Sequence, residues 1–119
     1  MHHHYTHTGI KRLFYATRYS MQGFRFGWQE EAFRQEVYCC VPLAILSVFL
    51  NVTTAEHLIL LTSLVIVLIT ELLNSAVEAV VDRISDEWHQ LSGSAKDLGS
   101  AAVLLSIIFA MIVWLVILL

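Results

Sequence analysis

Apolar residues recur on a helical period over residues 10–28 and then gather into long runs separated by polar stretches. In the first segment, Ile10, Leu13, Phe14, Thr17, Met21, Phe24 and Trp28 share one narrow face of a helix. Lys11, Arg18, Gln22 and Arg25 occupy an adjoining flank, and Arg12 and Tyr19 lie at the back. Basic residues beside an apolar, aromatic face describe a helix lying in a membrane interface. The alternative, a helix resting on a soluble core, finds no such core elsewhere in the chain.

The polar stretch 29–36 leads into 37–50, which is apolar apart from Ser47. That run is shorter than the roughly 20 residues a membrane span needs. A first membrane helix is therefore predicted over 29–50, with its polar start in a headgroup or protein-lined region. Pro42 is expected to kink this helix rather than end it, because neighbours in a bundle can satisfy the freed carbonyl. Residues 51–57 form a polar turn, and a second membrane helix is predicted over 55–85. Its first half is almost purely aliphatic, whereas its second half carries Glu71, Asn74 and Glu78. Residues 82–97 read as a charged connector. A third membrane helix is assigned to 97–119, since 99–119 holds no charge at all.

Composition agrees with this pattern. Hydrophobic residues make up 57% of the 119, only 14% are charged, and the mean hydropathy is +0.67. A soluble domain keeps roughly a quarter of its residues charged, because its surface faces water. One Pro and five Gly argue against a chain rich in strands or loops. The expected fold is an all-α membrane protein with three transmembrane helices and an N-terminal interfacial helix, forming a single unit over 10–119. Residues 1–9 are set aside as a His-rich flexible start, and no cleavable signal peptide is expected. Cys39 and Cys40 are adjacent, lack a CxxC spacing and read as buried apolar thiols.

The charges are placed informatively. Lys11, Arg12, Arg18, Arg25 and Arg34 precede the apolar part of the first span, and Arg83 and Lys96 lie in the 82–97 connector between the apolar parts of the second and third. The turn at 51–57 has neither Lys nor Arg. The positive-inside rule then places the N-terminus and the 82–97 connector in the cytoplasm.

Glu71, Asn74, Ser75, Glu78 and Asp82 form one polar stripe along the second membrane helix. A carboxylate within a span costs about 2.5–3.5 kcal/mol on insertion scales, so two of them need a compensating role. A buried polar network that fixes helix contacts is the plainer account. A cation site is the sharper one, with Glu30, Glu31 or Glu36 completing an oxygen set beside Glu78. Magnesium suits a few carboxylates plus phosphate oxygens and water. Lys96 can neutralise phosphate charge during transfer or anchor the third span at the interface. No GxxxxGK[ST] loop, HRD/DFG pair, GxSxG elbow or HExxH motif is present, so nucleotide chemistry here needs a site built from helices.

The run Glu71-Leu72-Leu73-Asn74-Ser75-Ala76-Val77-Glu78-Ala79-Val80-Val81-Asp82 resembles the signature of the prokaryotic diacylglycerol kinases. The similarity extends to Glu30 with Ala32-Phe33-Arg34-Gln35-Glu36, to Glu87-Trp88-His89 and Leu91-Ser92-Gly93, and to Ala95-Lys96-Asp97 with Gly99-Ser100-Ala101-Ala102. The resemblance implies a homotrimeric helical bundle in the bacterial cytoplasmic (inner) membrane, with sites shared between subunits. It implies transfer of the γ-phosphate of ATP to the free hydroxyl of diacylglycerol, with Mg²⁺ as cofactor and phosphatidic acid as product. By the same resemblance Glu71 is the general base, Asn74 and Lys96 are catalytic, and Glu30 and Glu78 bind metal. Nucleotide contacts would come from Arg12, Tyr19, Glu30, Glu78, Glu87, His89, Lys96 and Asp97, and lipid contacts from Arg12, Arg34, Glu36, Glu71 and Ser100. No nucleic-acid partner is expected. The chain departs from the family pattern in having Glu30-Glu31-Ala32-Phe33 where the family commonly has Glu-Ala-Ala-Phe. Two alternatives stay open: an undecaprenol kinase of the same fold, and a small oligomeric channel or transporter lined by the acids.

Overall fold

The computed structural model describes residues 8–119, and the His-rich positions 1–7 lie outside them. The described residues form four helices: α1 (Gly9–Gln29), α2 (Glu31–Val48), α3 (Thr54–Ile84) and α4 (Gln90–Leu118). α1 and α2 are separated by Glu30 alone, whose extended backbone (φ −83°, ψ 127°) breaks the helical path. α2 continues through Pro42.

α3 begins with a capping box. The Glu56 amide donates to the Thr53 hydroxyl at 3.1 Å, and the Thr53 amide donates to the Glu56 carboxylate at 3.0 Å. Such a pair satisfies two amides that the first turn would leave orphaned and contributes about 1 kcal/mol. α4 begins at Gln90, earlier than the 97–119 span read from the sequence. Its cap is His89, whose Nδ1 accepts from the Leu91 amide at 3.0 Å. Hydropathy marks where a helix can enter lipid, whereas a cap lets the same helix start in water. Lys96 and Asp97 therefore stand on a helix, and the connector is only 85–89.

α4 packs most extensively on α3, and α2 follows. Three contacts set the direction of the α3–α4 pair. Asn74 meets Gly99, Thr70 shares a 2.9 Å hydrogen bond with Ser106, and Trp114 Nε1 donates to the Ser63 hydroxyl at 3.2 Å. Numbers fall along α3 as they rise along α4, so the two helices are antiparallel. Small and hydroxyl-bearing residues at these contacts let the backbones approach and hydrogen-bond across the seam. Cys40, Leu60, Leu64 and Trp114 form a buried apolar cluster, flanked by Leu43 and Leu68.

The outer surface is apolar. Ile45, Val48, Val65, Leu105, Ile112 and Val116 are all exposed, as they would be against lipid. α3 and α4 are long and apolar enough to cross a membrane. α2 has 18 residues and carries Glu31, Arg34 and Glu36 in its first two turns, so it is less apolar than either.

Candidate functional site

The deeper part of the α3 polar stripe turns inward, whereas Asp82 at its end is exposed. Glu71 and Asn74 are buried, and Glu78 is half-buried. Their spacing of three and four residues stacks them on one face, and the Asn74 amide donates to Glu78 Oε1 at 3.2 Å. Asn74 Oδ1 is buried without a partner. Against it lies Gly99 of α4, where even a Cβ would collide with the Asn74 amide oxygen. Glycine at 99 is thus what lets α4 close over Asn74.

Acids from two other elements approach this face. Glu36 of α2 and Glu30, at the α1–α2 break, both lie within electrostatic reach of Glu71, as does Glu78. Glu36 Oε2 is a second buried oxygen without a partner. Carboxylates gathered in a poorly solvated place require a compensating cation or proton. The donor chemistry suits a hard divalent ion, since these side chains present oxygens to it, and the two unsatisfied ones, on Glu36 and Asn74, border the carboxylates of Glu71 and Glu78. Among the described residues no three His, Cys, Asp or Glu side chains group into a ready-made cage. Magnesium does not need one, since it takes one or two carboxylates and fills its sphere with water and phosphate oxygens.

A second group gathers at the same end of the bundle. Lys96 Nζ forms a 2.7 Å ion pair with Asp82 Oδ1. Asp82, Glu87, His89, Ser92, Gly93 and Lys96 line a cleft of about 410 Å³. A further cleft of about 620 Å³ runs between α1 and α3, from Ser20 and Gly23 to Glu30, Leu72 and Ser75.

The family model of prokaryotic diacylglycerol kinase matches residues 18–118. The chain belongs to that family. It is 47% identical over 112 residues to the diacylglycerol kinase of Escherichia coli (strain K12), covering 93% of this chain and 92% of that one. Identity to the diacylglycerol kinase of Haemophilus influenzae is 45% over 111 residues, covering 92% and 94%. For that of Pseudomonas aeruginosa it is 44% over 113 residues, covering 94% and 92%. Membership makes the chain an enzyme of a kinase family.

The structure joins Asn74 to Glu78 by a hydrogen bond, sets Glu30, Glu36 and Glu78 each within electrostatic reach of Glu71, and lines the neighbouring cleft with Glu87, His89 and Lys96. Arg12, Asp97 and Ser100 are exposed and line neither cleft. Tyr19 stacks on Tyr15 at a centroid distance of 6.3 Å. Arg34 spends its guanidinium on a backbone carbonyl, that of Trp28 at 2.7 Å. Two positions that residue-type reasoning passes over are glycines. Gly99 receives Asn74, and Gly27 receives the Leu72 side chain, whose Cδ2 would stand 2.7 Å from an added Cβ. A glycine inside an otherwise good helix is the sequence signal for such a close approach.

Proposed function

We propose that the chain transfers the γ-phosphoryl group of ATP to the free hydroxyl of diacylglycerol, forming phosphatidic acid at the cytoplasmic edge of the membrane. The observation that carries this reading is the cluster of Glu71, Asn74, Glu78 and Glu30 in a chain of the diacylglycerol kinase family. α2 crosses the membrane with α3 and α4, α1 lies in the interface, and three copies share their sites. Glu30 is exposed in the single chain, so the site it shares with α3 stays open on the side a neighbouring subunit would cover.

The Glu71 carboxylate accepts the proton of the lipid hydroxyl as its oxygen bonds to the γ-phosphorus. The bond from that phosphorus to the β–γ bridging oxygen breaks in line, and ADP leaves with the electron pair. Glu71 lies about 10 Å deeper than Glu78 along α3, at about 1.5 Å per residue, a depth suited to a lipid hydroxyl. Mg²⁺, held by Glu30 and Glu78, would supply charge neutralisation to the phosphate oxygens. Asn74 fixes the Glu78 carboxylate through the 3.2 Å hydrogen bond. Lys96 turns from Asp82 toward the phosphates and offsets their charge, while the cleft beneath α1 gives the glycerol moiety room.

Two measurements check this. In mixed micelles, label from γ-labelled ATP is expected in phosphatidic acid and at least tenfold less in undecaprenyl phosphate. The reverse preference would reassign the lipid, and ion flux without ATP consumption would favour the channel. Glu78→Gln is expected to raise the Mg²⁺ concentration for half-maximal transfer about tenfold. An unchanged Mg²⁺ titration would remove Glu78 from the donor set.

A further inference from the structure

The break between α1 and α2 is tied across by four interactions. The Glu30 amide donates to Gly27 O at 2.9 Å, and the Arg34 amide donates to Glu30 O at 3.1 Å. The Arg34 guanidinium reaches back to Trp28 O at 2.7 Å. The Trp28 and Tyr38 rings meet edge to face at 5.7 Å.

The Arg34 contact answers a defect in α1. The last four carbonyls of a helix lack partners within it and carry the negative end of its dipole, which a cation can satisfy. α1 has no basic residue in its own last turn. Arg34, one turn into the next helix, supplies the missing cation to the carbonyl of Trp28, so it binds the two helices at a set angle. Glu30 is the residue held between them. It serves as N-cap of α2 by backbone alone, and its side chain makes no capping hydrogen bond. Its carboxylate is thereby left for the acid cluster around Glu71. Arginine is suited to this task, since its planar fork keeps a fixed direction that a lysine ammonium does not.

We propose that Arg34 is a positioning residue: by clamping the end of α1 to α2 it aims the Glu30 carboxylate at the site on α3. This goes beyond a lipid contact for Arg34 and rests on the reading of Glu30 as a metal-holding acid.

The test compares Arg34→Gln, Arg34→Lys, Glu30→Gln and the Arg34→Gln/Glu30→Gln double variant in full-length protein. Three quantities are read: the Mg²⁺ concentration for half-maximal transfer, KM for diacylglycerol, and the ¹⁹F resonance of Trp28 in 5-fluorotryptophan-labelled protein, assigned with Trp28→Phe. Arg34→Gln is expected to shift or broaden the Trp28 resonance and raise the Mg²⁺ requirement about tenfold, the usual cost of losing a residue that orients a ligand. KM for diacylglycerol should change less than twofold. Arg34→Lys should recover only part of the loss, and the double variant should be no worse than Glu30→Gln alone. An Arg34→Gln effect confined to KM for the lipid, an unmoved Trp28 resonance, or additive losses in the double variant would each overturn the clamp. An unchanged Mg²⁺ requirement in Glu30→Gln would instead remove Glu30 from the donor set. The Trp28 resonance would still decide, by itself, whether Arg34 holds the two helices.

Discussion

Glu71→Gln is expected to lower phosphoryl transfer to diacylglycerol by about 100- to 10,000-fold, the range assigned to a positioned general base, while leaving the fold intact. The substitution keeps the size and shape of a side chain that is only 5% exposed, so it opens no cavity. It also removes the acid within electrostatic reach of three others, Glu30, Glu36 and Glu78. Relief of that repulsion should hold the thermal midpoint in detergent at or above the wild-type value. KM for Mg·ATP should move little, because Glu71 accepts a proton from the lipid and does not hold the nucleotide. Loss of turnover with stability retained is the signature of a chemical role. Turnover within tenfold of wild type would remove Glu71 as the base. A variant that loses activity only because it unfolds would show Glu71 to be a packing residue.

Much of this arrangement follows from spacing that a sequence displays. Spacings of three and four residues place Glu71, Asn74 and Glu78 on one face of a helix whatever surrounds them, and the basic, aromatic amphipathicity of α1 needs no tertiary information. The limits of legibility are equally physical. α4 starts at Gln90 because the His89 ring caps it, and a capped polar turn carries no hydropathy signal. The break at Glu30 has no Pro to announce it, and the Arg34 guanidinium that meets the carbonyl of Trp28 across it comes from six residues further on. Family resemblance implies a lipid contact for Arg34, and nothing in the sequence points to the hydrogen bond its guanidinium gives the Trp28 carbonyl. The antiparallel register of α3 and α4 is set by pairs far apart in sequence, Ser63 with Trp114 and Thr70 with Ser106. Periodicity says which face is polar, but not which residue of another helix it meets.

Two glycines of α4 turn that last point into a measurement with opposite signs. Gly93 has nothing within 4 Å of an added Cβ, whereas a Cβ at Gly99 would strike the Asn74 amide oxygen. In a helix interior, Gly→Ala is favourable by about 1 kcal/mol from reduced backbone freedom. At Gly93 nothing opposes that gain, so Gly93→Ala should raise the thermal midpoint in detergent. At Gly99 the same gain competes with overpacking, which costs about 1–3 kcal/mol. A buried Asn74 has no open solvent into which to swing, and moving it breaks its bond to Glu78, worth about another 1 kcal/mol. The loss exceeds the gain, and Gly99→Ala should lower the midpoint, with Gly99→Val lowering it further. Because the displaced amide is the one that holds Glu78, Gly99→Ala should also raise the Mg²⁺ requirement for transfer. A midpoint raised by both alanine substitutions would mean that α3 and α4 do not close over Asn74. A lowered midpoint at Gly99 with an unchanged Mg²⁺ requirement would confirm the close approach and show that Glu78 holds its place without Asn74.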